Sequence, residues 1–330
     1  MDWLTDRLRD RATTTTSETK PPTEAIDPTP QPARLRFDAA MLTDIGAVRS
    51  HNEDFVLYAP PQESGTTSNR GTLALVADGM GGHAAGEVAS KLAAETVYRV
   101  FCEGDGRFPK TLGSAFAAAN TEILNWTKLH PECAGMGTTC TALALRDDQA
   151  WLAHIGDSRA YLLRDGSLRQ LSEDQTLVAQ LVREGKLTEE EARHSPVSNI
   201  ILQALGMGPG IEPLIWDKPL ALAAGDTLVL CTDGLHGLVS DADIADMAGR
   251  LAPLEACAAL IEAAVVAGGH DNISVGIVRA AAQSEQVADE GRTTRRMALP
   301  DLAGAGKPAD AGDAQTRRIA LPIGDAPRDG

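Results

Sequence analysis

No apolar run in this 330-residue chain approaches the ~20 residues a membrane-spanning helix needs, so the sequence predicts no bilayer span. No long basic stripe runs through the body, and the net charge is −16, which argues against nucleic acid as a partner. The start, Met1-Asp2-Trp3-Leu4 followed by Asp6, Arg7, Arg9 and Asp10, lacks the character of a secretory leader. Cysteines number five (Cys102, Cys133, Cys140, Cys231, Cys257), with no CxxC spacing. An odd, scattered set reads as reduced core thiols, and the expected location is the cytoplasm. With 43% apolar residues the chain can bury a substantial core, in one large domain or two small ones. The acidity suits a protein that holds divalent cations, and suits plain solubility equally well.

Residues 1–33 hold Thr13-Thr14-Thr15-Thr16 and prolines 21, 22, 28, 30 and 32, with almost nothing to pack, and read as a disordered tail. Apolar patterning then runs over 34–281. Buried strands are expected at 72–77, 139–145, 149–155, 159–163, 227–231 and 273–278. Asp165-Gly166 marks a hairpin turn. Helical periodicity covers 86–101, 111–129 and 254–266. Strands and helices come in bunches, which predicts an α+β fold. Residues 282–330 lose the pattern and read as a second disordered tail. They repeat one phrase, Thr294-Arg295-Arg296-Met297-Ala298-Leu299-Pro300 and Thr316-Arg317-Arg318-Ile319-Ala320-Leu321-Pro322.

Five short blocks carry the candidate chemistry. Asp78 and Asp233 each end an apolar strand and precede glycine, and Asp271 stands just before one. Each alone could cap a turn. Together at one sheet edge they would repel one another unless cations sat between them, and hard cations such as Mg²⁺ and Mn²⁺ take oxygen ligands of this kind. Gly79, Gly81, Gly82 and Gly86 let backbone oxygens approach a ligand closely. Arg49 lies four residues before Glu53: either a surface ion pair of little worth, or a fork for an incoming phosphate. His83, on the glycine-rich loop, is either structural or placed to protonate a leaving oxygen.

In order, Arg49…Asn52-Glu53-Asp54, Asp78-Gly79-Met80-Gly81-Gly82-His83, Gly135-Met136-Gly137-Thr138-Thr139, Gly156-Asp157-Ser158-Arg159, Thr232-Asp233-Gly234 and Gly268-Gly269-His270-Asp271-Asn272 resemble the metal-dependent protein phosphatases of type 2C in their compact bacterial form. The resemblance runs from about Phe37 to Val278. It implies a four-layer α-β-β-α sandwich, two antiparallel sheets with helices outside. It implies Asp78 bridging two Mn²⁺ or Mg²⁺ ions, with the Gly79 carbonyl on one. Asp233 and Asp271 become ligands of the first ion, Glu53 and Asp54 supports of the second, and Asp157 the ligand of a third, weaker ion. Arg49 becomes the phosphate-binding residue and His83 the general acid. The implied reaction is hydrolysis of phosphoserine or phosphothreonine in proteins by a water bridging two ions, reversing a Ser/Thr kinase, without a covalent intermediate. A non-catalytic phosphopeptide-binding regulator on the same fold, and an adaptor working through its tails, are the alternatives.

The chain departs from the family at Gln175, where His is frequent, and at Ser198 and Gln203 in the flap segment 177–206, where basic residues are common. These bear on specificity, not on the cation ligands. In the tail, Thr316 with Ile319 and Thr294 with Met297 resemble the phosphothreonine pattern read by forkhead-associated domains. They also resemble sites of basic-directed kinases. A third option folds the basic motifs back onto the acidic catalytic face, and a fourth makes the tail a plain solubiliser. A monomer is expected.

Overall fold

A computed structural model of the chain describes residues 35–61, 70–81, 85–104 and 107–283, and the backbone of 318–319. The first half comprises β1 (Leu35–Asp44), β2 (Asp54–Ala59), β3 (Thr72–Met80), α1 (Ala85–Glu103), α2 (Phe108–Leu129), β4 (Gly137–Thr138), β5 (Cys140–Arg146) and β6 (Gln149–Ile155). Then come β7 (Arg159–Arg164), β8 (Ser167–Gln170), α3 (Leu177–Arg183), α4 (Glu189–Arg193), β9 (Leu214–Ile215), β10 (Leu220–Ala221) and β11 (Thr227–Cys231). The last elements are α5 (Asp233–His236), α6 (Asp241–Arg250), α7 (Pro253–Val266), β12 (Ile273–Ala282) and β13 (Arg318–Ile319).

Two antiparallel sheets result. One has the order β13-β1-β12-β11-β7-β8, the other β10-β6-β5-β3-β2, with β4 on β3 and β9 on β6. Alternation along each strand sends side chains to opposite faces. In β3, Leu73, Leu75 and Ala77 face α1 and α2, where Ala89, Ala93, Val97, Leu112 and Phe116 meet them. Ala74 and Val76 face the other way and, with Leu143 and Leu152, meet Leu228, Leu230 and Val278 of the second sheet. That sheet's outer face takes Leu260, Ile261 and Ala264 of α7 against Val275 and Ile277. The layers run helix, sheet, sheet, helix, as the resemblance implied.

The sequence-based elements lie close to the observed ones. Asp165 and Gly166 have φ of +51° and +75°, the left-handed pair of a tight two-residue hairpin joining β7 to β8. The tail boundary differs: β12 continues to Ala282, and Arg318–Ile319, inside the second Thr-Arg-Arg copy, pairs with Thr43 and Leu42 of β1. Residues 1–33, the first copy at 294–300 and the remainder of the second lie outside the described residues. Among the described residues no helix is long and apolar enough to cross a membrane.

Candidate active site

The antiparallel registers bring the acidic blocks to one end of both sheets. Asp54 opens β2 directly opposite Asp78 near the end of β3. Cys231, the last residue of β11, pairs with Val275 at the start of β12 on one side and with Arg159 at the start of β7 on the other. Asp233, Asp271 and Asp157 sit just beyond those three residues. The turn holding Asp157 is where the chain leaves one sheet (β6) for the other (β7).

Glycines permit the approach. A Cβ on Gly79 would strike the carbonyls of Gly86 and Glu53, and one on Gly86 would strike the Glu53 carboxyl at 2.8 Å. The end of β3, the start of α1 and the residue before β2 therefore pack backbone to backbone. Gly46, at φ +78°, lies against the Asp271 carbonyl in the same way.

Burial and mutual repulsion dominate the electrostatics. Asp78 is raised well above the usual carboxylate range, by burial first and then by the charges of Asp54, Asp233, Asp157 and Asp271. Burial likewise raises Asp233, with Asp271 adding to it, while a hydrogen bond with Asp78 opposes it. Burial pushes Asp157 up to about 7, with Asp233 contributing. Asp54 is raised by burial, although its Oδ2 accepts from Thr232 Oγ1 at 2.9 Å and Ser274 Oγ at 2.7 Å. Glu53 is raised by burial against a backbone hydrogen bond from Gly86. Three carboxylate oxygens, Glu53 Oε1, Asp157 Oδ1 and Asp233 Oδ1, are buried without a hydrogen-bond partner. Orphaned buried anionic oxygens at one strand-end cluster fit divalent cations. The ring is loose: among the described residues no three His, Cys, Asp or Glu side chains close on a single point.

Arg49 Nη2 donates to Asp271 Oδ2 at 2.6 Å, and both side chains are partly exposed. Burial works against the Arg49 charge, but Asp271 outweighs it and the net shift is upward. His83 lies outside the described residues; every other candidate is at or beside the cluster.

Several residues that sequence reading left without a role hold this end together. The Asn272 side chain accepts from the Glu53 amide at 2.8 Å and donates to the carbonyls of Ile45 and His51, each at 2.9 Å. Thr139 Oγ1 accepts from the Asp78 amide at 2.9 Å and lies 2.7 Å from Ser158 Oγ. His236 Nε2 donates to the Asp157 carbonyl at 3.0 Å. Gln175 accepts from the Gly156 amide at 2.9 Å and donates to the Glu212 carbonyl at 3.1 Å, so it braces the Asp157 turn. Thr139, Ser158 and Asn272 stand inside the sequence blocks; no local pattern singles out Ser274 or His236.

Fold and carboxylate cluster together define a two-sheet sandwich with a strand-end acidic cluster of a kind that suits divalent cations. The family model "Protein phosphatase 2C" matches residues 50–261, and the chain belongs to that family. It is 41% identical over 242 residues to the serine/threonine protein phosphatase PstP of Mycobacterium tuberculosis, covering 73% of this chain but 44% of PstP. The chain thus spans less than half the length of that relative. The serine/threonine phosphatase stp of Listeria welshimeri is 35% identical, over 73% of this chain and 94% of its own. A crystal structure of the PstP catalytic domain with two manganese ions superposes with a TM-score of 0.65 at 38% identity, covering 75% of this chain and 99% of that one.

Proposed function

We propose that the chain is a protein serine/threonine phosphatase that hydrolyses phosphoserine and phosphothreonine in proteins, opposing a Ser/Thr kinase. The observation that carries this reading is the strand-end carboxylate cluster with its three unpartnered buried oxygens. Asp78, the Gly79 carbonyl, Asp233 and Asp271, with Glu53, Asp54 and Asp157, would hold two Mn²⁺ or Mg²⁺ ions and a third, weaker one. Bound there, such ions supply an activated water and neutralise charge gathering on the phosphoryl group. Asp54 acts from behind, its Oδ2 already held by Thr232 and Ser274. Arg49 takes the phosphate with its fork, exchanging part of its hold on Asp271 for the incoming anion. His83 delivers a proton to the leaving serine or threonine oxygen.

The catalytic unit spans about 34–282, flanked by tails at 1–33 and 283–330. The protein acts as a monomer in the cytoplasm, a location supported by the absence of any disulfide among its five cysteines. A cognate kinase phosphorylates Thr294 or Thr316, giving a forkhead-associated domain its site. Intact-mass spectrometry after incubation with that kinase should show tail phosphate; an unmodified tail would remove this part of the proposal.

The activity itself is tested with a phosphothreonine peptide, EDTA, Mg²⁺ or Mn²⁺, and Asp233→Asn beside the wild type. Phosphate release that needs the cation and is lost in the variant is expected. A folded wild type inert with every metal would instead leave a phosphopeptide-binding regulator.

A further inference from the structure

The duplicated tail phrase is the one sequence feature the catalytic reading does not use, and the structure gives one copy a place. Arg318 pairs with Thr43 and Ile319 with Leu42, antiparallel, on the side of β1 away from β12. An exposed strand edge presents a row of unpaired N–H and C=O groups, and adding a short strand satisfies them. We propose that the outer edge of β1 at Leu42–Thr43 is a strand-addition site for this chain's own Thr-Arg-Arg-x-Ala-Leu-Pro motif, and that its two copies compete for it.

Four observations carry this. The residue opposite buried Leu42 is apolar in both copies, Ile319 in one and Met297 in the other. Each copy ends in proline, Pro300 or Pro322, which cannot donate to a ladder and keeps the added strand short. Each brings two arginines to a chain of net charge −16. Reach allows either copy. Ala282 lies opposite Leu35, seven positions along β1 from Leu42, so the chain must travel back about 24 Å at ~3.4 Å per residue. The fourteen residues from Gln283 to Arg296 span up to roughly 45 Å when extended, enough to seat Met297 at the same position.

The seat lies at the cation end of β1. Thr43 Oγ1 accepts from Asn52 Nδ2 at 2.8 Å, and Asn52 Oδ1 accepts from the Asp54 amide at 3.1 Å. The antiparallel direction sends the Thr-Arg end of the docked motif toward Asp44 and its Ala-Leu-Pro end toward Leu35. With one seat and two copies, one motif stays off β1 and is left for a kinase, a reader domain or a second molecule.

The test is amide hydrogen exchange on the full chain, read over peptides covering Leu35–Asp44, for Ile319→Asp, Met297→Asp and the double variant. Each single variant should keep β1 protected within about twofold, since the other copy takes the seat. The double variant should exchange at least tenfold faster at the β1 amides that face β13, with β11 and β12 amides unchanged as the control for folding. Adding a synthetic peptide of either copy should restore protection. The Arg318→Pro and Arg296→Pro pair, which deletes the N–H opposite Thr43, should behave as the Asp pair does. Wild-type protection in the double variants, full loss in Ile319→Asp alone, or no rescue by peptide would each overturn the proposal.

Discussion

Asp54 and Asp78 stand directly opposite each other across β2 and β3, a buried and a half-buried carboxylate in one cross-strand pair. Like charges directly opposite destabilise a sheet. This arrangement therefore persists against its own electrostatics, and a divalent cation at the cluster relieves it. Mn²⁺ at a hundredfold excess over its Kd should add about 2.7 kcal/mol and raise the melting temperature by roughly 5–10 °C. Asp78→Asn should melt no lower than the wild type in EDTA, because it removes a repelled carboxyl, yet lose the Mn²⁺-induced rise. Differential scanning fluorimetry across a Mn²⁺ titration reads both. A variant that melts lower in EDTA yet keeps the rise would contradict this account.

The Arg49–Asp271 pair predicts a split in kinetics. Arg49 is about half exposed, its side chain at 48%, so truncating it should leave folding intact. Loss of a charge-assisted phosphate contact of about 2–3 kcal/mol lowers kcat/KM by roughly 30- to 150-fold. Arg49→Ala should show most of that loss as a higher KM at saturating Mn²⁺. Arg49→Lys should recover less than tenfold, because an ammonium lacks the fork. Steady-state kinetics on a phosphothreonine peptide decide it, and an unchanged KM in Arg49→Ala would place the phosphate elsewhere.

Asn272 ties three segments that the chain brings together from far apart. It serves the Glu53 amide, 219 residues away in sequence, and the carbonyls of Ile45 and His51. Asn272→Ala leaves those groups unsatisfied near the buried end of the cluster, and should cost about 2–4 kcal/mol in urea unfolding. Asn272→Asp should not rescue it, since a carboxylate would face two carbonyl oxygens. Stability in the Asp variant equal to the wild type would show that the amide donors contribute nothing.

The fold and most of the candidate site were legible in the sequence for a physical reason. Buried strands such as 227–231 write themselves as continuous apolar runs, and the cluster's carboxylates fall at the ends of those runs next to glycine. Hairpin chemistry at Asp165-Gly166 is equally local. What holds the carboxylates is not local. Ser274 reaches Asp54 across 220 positions, and His236 reaches the Asp157 carbonyl across 79. Such contacts depend on register between distant strands and leave no short-range mark. The β1 edge belongs to the same kind: the repeat was visible as a repeat, but its strand partner was not.

His154 gives the fold a defined acid limit. It is fully buried in β6, its Nε2 donating to the Glu173 carbonyl and its Nδ1 beside the Thr141 hydroxyl, both at 2.9 Å, while that hydroxyl also lies 2.9 Å from the Ser158 carbonyl. Burial lowers its pKa from 6.5 to about 4, with the Glu173 contact opposing the shift. Between those values the unfolded chain binds a proton that the folded chain refuses. The stability that neutral His154 contributes is therefore complete above pH 6.5 and is lost as pH falls toward 4. Between pH 7.5 and 5.0 this one group should lower unfolding free energy by about 2 kcal/mol. His236, also lowered to about 4 by burial, acts with the same sign. His154→Gln keeps a donor and an acceptor but cannot titrate. Its urea-unfolding free energy should fall less between those two pH values than that of the wild type, by the same ~2 kcal/mol. Equal losses in the two proteins would mean that His154 does not set the acid limit.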